Sequence, residues 1–213
     1  VRLFYNTVTY WGFDFSANGS KPSARNLNPV RKMQVPTTRK ELQAALGLFN
    51  YFSHYIHDMD KSRNPPRRVT YSELIAPMQQ LVRGPPRTTK QFAAAWLTPQ
   101  QKSFDRIREI LLSGIMLHAP DYTRPFRMSS DASDHGWGAT LFQDKPTPGD
   151  TSPPDPEAPP GVPEPSKVNI IRMWSKAWSE SQRKLPVYFR ESLGWALGIR
   201  KCRPYVLSSR FPL

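Results

Sequence analysis

An acid at the end of a predicted strand, followed by a glycine-bearing turn, is the first arrangement in this sequence that could do chemistry. In Phe126-Arg127-Met128-Ser129-Ser130-Asp131, apolar Phe126 and Met128 alternate with Arg127, Ser129 and Asp131, which predicts a strand over 126–131. The polar run 132–136 ends in Gly136, and a return strand is predicted over 138–143, where Ala139 and Leu141 alternate with Thr140 and Phe142. Asp131 thus ends one strand beside a glycine-bearing partner, where backbone crowding is low and a metal ion or phosphate could approach. Taken alone, the same residues also describe an aspartate in an ordinary hairpin turn. Asp134 is its near neighbour, in the turn and expected to face solvent.

The second chemical feature is cationic. Residues 61–120 hold ten Lys and Arg against three Asp and Glu, +7 of a net charge of +13 for the 213 residues. Arg67, Arg68, Arg83, Arg87 and Lys90 lie on its proline-bearing connectors, 61–70 and 83–90. Clustered charge of this kind contacts phosphate by releasing counterions, or simply forms a solvated basic face. The pI near 10.1 favours a polyanionic partner, nucleic acid above all. An anionic membrane surface is disfavoured, because no long basic amphipathic helix stands out.

The elements that must position these groups are readable. Residues 8–13 alternate as a short strand-like run. Thr38 and Glu41 form a capping box, and Leu42, Ala45, Phe49, Phe52 and Ile56 then follow at spacings of three and four, one apolar helix face packed in a core. A short helix is predicted from about 71 to 82. Thr98 caps the next helix, with Pro99 in its first turn, Gln101 closing the box, and Phe104, Ile107 and Leu111 on its apolar face. The stretch 145–167 is dense in proline and reads as an extended excursion, either a surface loop or a peptide that docks on a protein partner. A third strand follows over 168–175, then a helix over about 187–202.

Five blocks, in order, resemble the polymerases of gypsy-like LTR retroelements. Ser130-Asp131-Ala132-Ser133, Gly136-x-Gly138-Ala139 and Leu141-x-Gln143 are similar to the opening of their RNase H domain. Val35-Pro36-Thr37-Thr38 through Glu41-Leu42, Leu46-Gly47-Leu48 and Asn50-Tyr51-Phe52 resemble the segment after the palm, and Trp11-Gly12-Phe13 the last palm strand. Trp96, Gln101 and Phe104, then Ala119 to Phe126, resemble the approach to the first RNase H strand, with Ser103 where alanine is usual. Ser175-Lys176, Gln182-Arg183, Pro186, Glu191 to Leu197 and Arg200 to Tyr205 resemble the segment after it. Gly194 and Gly198 stand in place of better helix formers, at about 1 kcal/mol each, and Cys202 in place of tryptophan; both read as relaxed constraint.

The resemblance implies an α/β (α+β) chain. Residues 1–35 would be a remnant of the palm end and linker, 36–118 a helical thumb- or connection-like region, and 119–213 an incomplete RNase H-like domain: a mixed sheet with a packed helix and the proline-rich insertion 145–167. It implies that Asp131 and Glu191 are the first two of four catalytic carboxylates and candidate ligands of a weak, incomplete metal site. It places the polymerase's Tyr-x-Asp-Asp before Val1 and the third carboxylate beyond Leu213. No cofactor is therefore expected as given, and Mg2+ only if the site is completed downstream. Two functions from different classes follow: a non-catalytic, domesticated module binding RNA as a structural part of a ribonucleoprotein, or an RNase H cutting RNA–DNA hybrids. A protein-only interaction module, with its basic charge meeting an acidic partner, is the third.

Composition sets the remaining bounds. Hydrophobic content of 38% supports a modest core, and 23 prolines reduce the share of regular elements. One cysteine, Cys202, excludes internal disulfides and a cysteine-rich zinc site and fits an intracellular setting. No apolar run is long enough to span a membrane.

Overall fold

In the computed structural model, residues 6–60, 62, 67–85, 88–145, 167–207 and 209 are described. Arg87 and the prolines of 146–166 lie outside them, and so does the expected docking peptide.

The alternating run at 8–13 is two strands rather than one. β1 (Thr7–Tyr10) and β2 (Phe13–Ser16) pair antiparallel, with Tyr10 opposite Phe13. Trp11 and Gly12 between them both take positive φ, 49° and 78°, the backbone of a two-residue hairpin whose twist matches that of its strands. β3 (Gly19–Pro22) adds to β2. Helix α1 (Ala24–Lys32) starts where the Ser23 hydroxyl accepts the Asn26 amide.

Helix α2 (Arg39–Tyr51) begins at Thr38 as expected, its hydroxyl accepting the Glu41 amide. The return half of the box shifts by one residue: Glu41 accepts from the Thr37 amide at 2.7 Å, not from Thr38. Leu42, Ala45, Phe49, Phe52 and Ile56 are all buried, the last two after the helix has ended. A short hairpin follows, β4 (Asp58–Asp60) against β5 (Arg67–Val69). Helix α3 (Tyr71–Arg83) opens with a complete Thr70–Glu73 capping box. α4 (Thr89–Ala95) starts at the end of what read as a connector over 83–90 and runs past it. α5 (Thr98–Leu112) starts one residue earlier than its sequence suggests. Gln100, not Gln101, accepts the amide of Leu97, because Gln101 is engaged by the Trp96 indole at 2.8 Å. Phe49, Phe52, Met78, Phe92, Phe104, Ile107 and Leu111 close the core between these helices, and β6 (Leu117–His118) returns to β3.

The second core is built on β7 (Arg127–Ala132), β8 (Gly136–Asp144) and β9 (Val168–Ala177), antiparallel in that order. Asp131 lies opposite Gly138. After the four-residue α6 (Glu180–Arg183), helix α7 (Val187–Val206) lies across one face of the sheet. Its buried residues are Arg190, Gly194, Gly198 and Cys202, one per turn. Reading both glycines as relaxed constraint needs correction at Gly198. A Cβ there would lie 3.0 Å from Met128 Sδ and 3.1 Å from Ala139 Cβ, so the missing side chain sets the helix-to-sheet distance. Cys202 is fully buried in the same seam.

The opposite face of β8 is not open. Cβ atoms at Gly138 and Gly136 would lie 2.5 Å from Thr70 Cγ2 and 3.0 Å from Ser72 Cβ, and the Ser72 and Ser175 hydroxyls bond at 2.7 Å. The start of α3 occupies the space that the glycines seemed to leave for a ligand.

Candidate functional site

Asp131 stands at the end of β7, where the turn that follows is firmly tied. The Trp178 indole and the Arg190 guanidinium both donate to the Ser133 carbonyl, at 2.8 and 3.3 Å. Arg190 also pairs with Asp134 at 2.7 Å, while Asp134 itself is mostly exposed, as its turn position suggested. Arg190 carried no signal in the sequence beyond its place next to Glu191.

Asp131 does not face solvent alone. Arg67 on β5 reaches across from the first core and donates its Nε to Asp131 Oδ2 at 3.1 Å, and its Nη2 to Glu73 Oε1 at 2.6 Å. The other oxygen of Glu73 accepts the Thr70 amide at 2.9 Å, and its carboxylate also takes a bond from the Ser133 side chain. Burial raises the pKa of Asp131; Arg67 opposes that shift and Glu73 adds to it. Burial also works to raise Glu73, but the Thr70 amide and Arg67 outweigh it and hold that carboxyl below its ordinary value. The carboxylate coupled to Asp131 is thus Glu73, not Glu191 as the pairing of family acids would suggest. Glu73 was legible as half of the Thr70-x-x-Glu73 box, though nothing local linked it to Asp131.

Glu191, exposed on α7, lines the same open cleft as Asp131, a volume of about 660 Å3 between β7 and α7. Ser130, Ala132, Ser192, Trp195, Ala196 and Ile199 complete its walls. The two family acids therefore share a cleft. They do not fit a pair of magnesium ions, which takes several carboxylate ligands plus substrate phosphate. Asp131 already carries a guanidinium, and among the described residues no group of three His, Cys, Asp or Glu side chains could hold a metal.

The cationic candidates separate by position. Arg68 is 8% exposed and donates to the hydroxyl of Thr140, which is fully buried. Burial pushes its pKa down to about 10 against the pull of Asp131, and its Nε has no partner. Arg68 thus presents no donor to a surface ligand, and Arg67 is engaged by two carboxylates. Both were expected to contact nucleic acid; the chain instead folds their side chains onto Asp131, Glu73 and Thr140. Arg83 and Lys90 are exposed, and Arg87 is outside the described residues.

A second cleft, about 400 Å3, is lined by His57, Asp58, Met59, Arg106, Glu109 and Ser113 among others. Arg106 holds Asp58 with two bonds, one of them 2.6 Å. His57 Nδ1 is buried without a partner, and burial pushes the ring's pKa down to about 4, Arg68 adding to the shift. No helix among the described residues is long and apolar enough to cross a membrane.

Known proteins resemble this chain in sequence and in fold. The family model for the RNase H-like domain found in reverse transcriptase matches residues 96–153, which include Asp131 but not Glu191. The Retrovirus-related Pol polyprotein from transposon opus of Drosophila melanogaster is 30% identical over 140 residues, 64% of this chain and 13% of that protein. Its counterpart from transposon gypsy is 27% identical over 145 residues, 68% and 13%. The Transposon Tf2-3 polyprotein of Schizosaccharomyces pombe is 28% identical over 136 residues, 64% and 9%. The matched stretch therefore spans only 9 to 13% of the length of such relatives. In fold it resembles the foamy viral protease-reverse transcriptase solved with dsDNA, with a TM-score of 0.63 at 18% identity over 95% of this chain and 35% of that one. The same enzyme with an RNA/DNA hybrid gives a TM-score of 0.61 at 17% identity, over 93% and 22%. Residues 96–153 thus match the RNase H-like domain found in reverse transcriptase, in a sequence similar to the Pol polyproteins of LTR retrotransposons.

Proposed function

We propose that this chain is a nucleic-acid-binding module of a retroelement polymerase that holds RNA, or an RNA–DNA hybrid, without cutting it, as a structural part of a larger ribonucleoprotein. The observation that carries the reading is the Arg67–Asp131 pair: the first family carboxylate is spent on an internal cation. The basic balance of +13 and the exposed Arg83 and Lys90 support binding. The solved relatives in fold hold dsDNA or an RNA/DNA hybrid, which makes a duplex the first ligand to test. Binding is electrostatic. Arg83→Gln and Lys90→Gln should each lower the slope of log affinity against log salt by about 1, across unrelated sequences. A salt-independent affinity would refute it.

The second reading is an RNase H, favoured by the survival of both Asp131 and Glu191 on one cleft. It needs further carboxylates to seat magnesium. The deciding assay is hydrolysis of a labelled RNA–DNA hybrid by the 213-residue chain in Mg2+ or Mn2+. No turnover is expected; turnover that Asp131→Asn abolishes establishes the enzyme.

A further inference from the structure

Arg67 is held where it is by more than Asp131. Its strand β5 is paired residue by residue with β4, Asp60 opposite Arg67 and Met59 opposite Arg68. Its Nη2 is fixed on Glu73, and Glu73 is fixed in turn by the Thr70 amide at the start of α3. Next along the strand, Arg68 is anchored on Thr140 inside the second sheet, and its charge also acts on Asp131. A guanidinium anchored on both sides costs little further entropy to hold on a carboxylate, unlike a free surface arginine. A divalent ion approaching Asp131 would meet the fixed charge of Arg67 on the carboxylate, with that of Arg68 close behind. Strong attraction between Arg67 and two acids would have to be given up first.

We propose that Arg67 is the built-in counter-cation of Asp131 and excludes divalent metal ions from that carboxylate. This deepens, and rests on, the reading of the cleft as one that binds without cutting. It also assigns a purpose to the β4–β5 hairpin: it delivers a cation from the first core onto the end of β7.

The test is Mn2+ binding to the 213-residue chain, followed by the paramagnetic spectrum of the free ion. Asp131→Asn in the otherwise unchanged chain should leave Mn2+ affinity as it is, because Asp131 is not available. Arg67→Gln should tighten Mn2+ binding at least tenfold, the gain vanishing in Arg67→Gln/Asp131→Asn. Arg67→Lys, which keeps the charge, should stay near the parent. Loss of parent affinity on Asp131→Asn, or a gain in Arg67→Gln that survives Asp131→Asn, overturns the proposal. An Arg67→Gln affinity equal to the parent's also overturns it, and Arg67→Met takes its place if Arg67→Gln does not fold, as judged by circular dichroism. Hybrid binding and hydrolysis are measured separately, so the binding function can fail while the metal exclusion stands, or the reverse.

Discussion

Thr70 and Gly138 are in direct contact across the two cores: a Cβ at 138 would lie 2.5 Å from Thr70 Cγ2. Thr70 is also the cap of α3, and Gly138 the register partner of Asp131. One small residue thus lets the cap of a helix in the first core rest on the strand beside the candidate site. Gly138→Ala should destabilise the chain by about 1–3 kcal/mol through overpacking. Thr70→Ser keeps the capping hydroxyl and removes the clashing methyl, so the double variant should recover part of that loss. Urea denaturation of the four proteins checks this; equal losses with and without Thr70→Ser would show that the contact does not matter.

The two glycines of α7 should respond in opposite ways. At Gly194 a Cβ would meet its nearest neighbour at 3.5 Å, an ordinary contact, so Gly194→Ala should gain about 1 kcal/mol from helix propensity alone. At Gly198 the neighbours stand at 3.0 and 3.1 Å, and one of them, Ala139, has no flexibility to give. Gly198→Ala should therefore gain nothing or lose stability. Thermal melts that shift equally upward for both would refute the seam described between α7 and β8.

His57 should make the fold acid-sensitive. Its folded pKa, about 4, lies below the ordinary 6.5, so the unfolded chain binds the extra proton between those values. Stability then falls as pH drops from 6.5 towards 4 and is unaffected above 6.5, by up to about 3 kcal/mol. The lowered carboxyls of Glu73 and Asp58 lose stability in the same direction at still lower pH. His57→Gln should flatten the Tm profile between pH 4 and 6.5. Parallel profiles for the two proteins would show that the buried ring does not titrate there.

Much of the fold was legible because it rests on local chemistry. The strands at 126–131, 138–143 and 168–175 follow from alternation, and the structure shifts the first by one residue and lengthens the other two by two or three. Thr38 and its apolar face specify α2 in the same way. Asp131, and Glu191 through the family resemblance, were legible as residues of one cleft, because a strand end and the first turns of the packed helix meet there. What the sequence could not settle was the destination of its long cationic side chains. Arg67 and Arg68 look like any exposed basic pair, yet their partners Asp131 and Thr140 lie 64 and 72 positions away. The glycines of β8 likewise suggested open space, until the start of α3 filled it. Charge runs and glycines state what a residue can do; which neighbour uses it is decided by packing between elements distant in the chain.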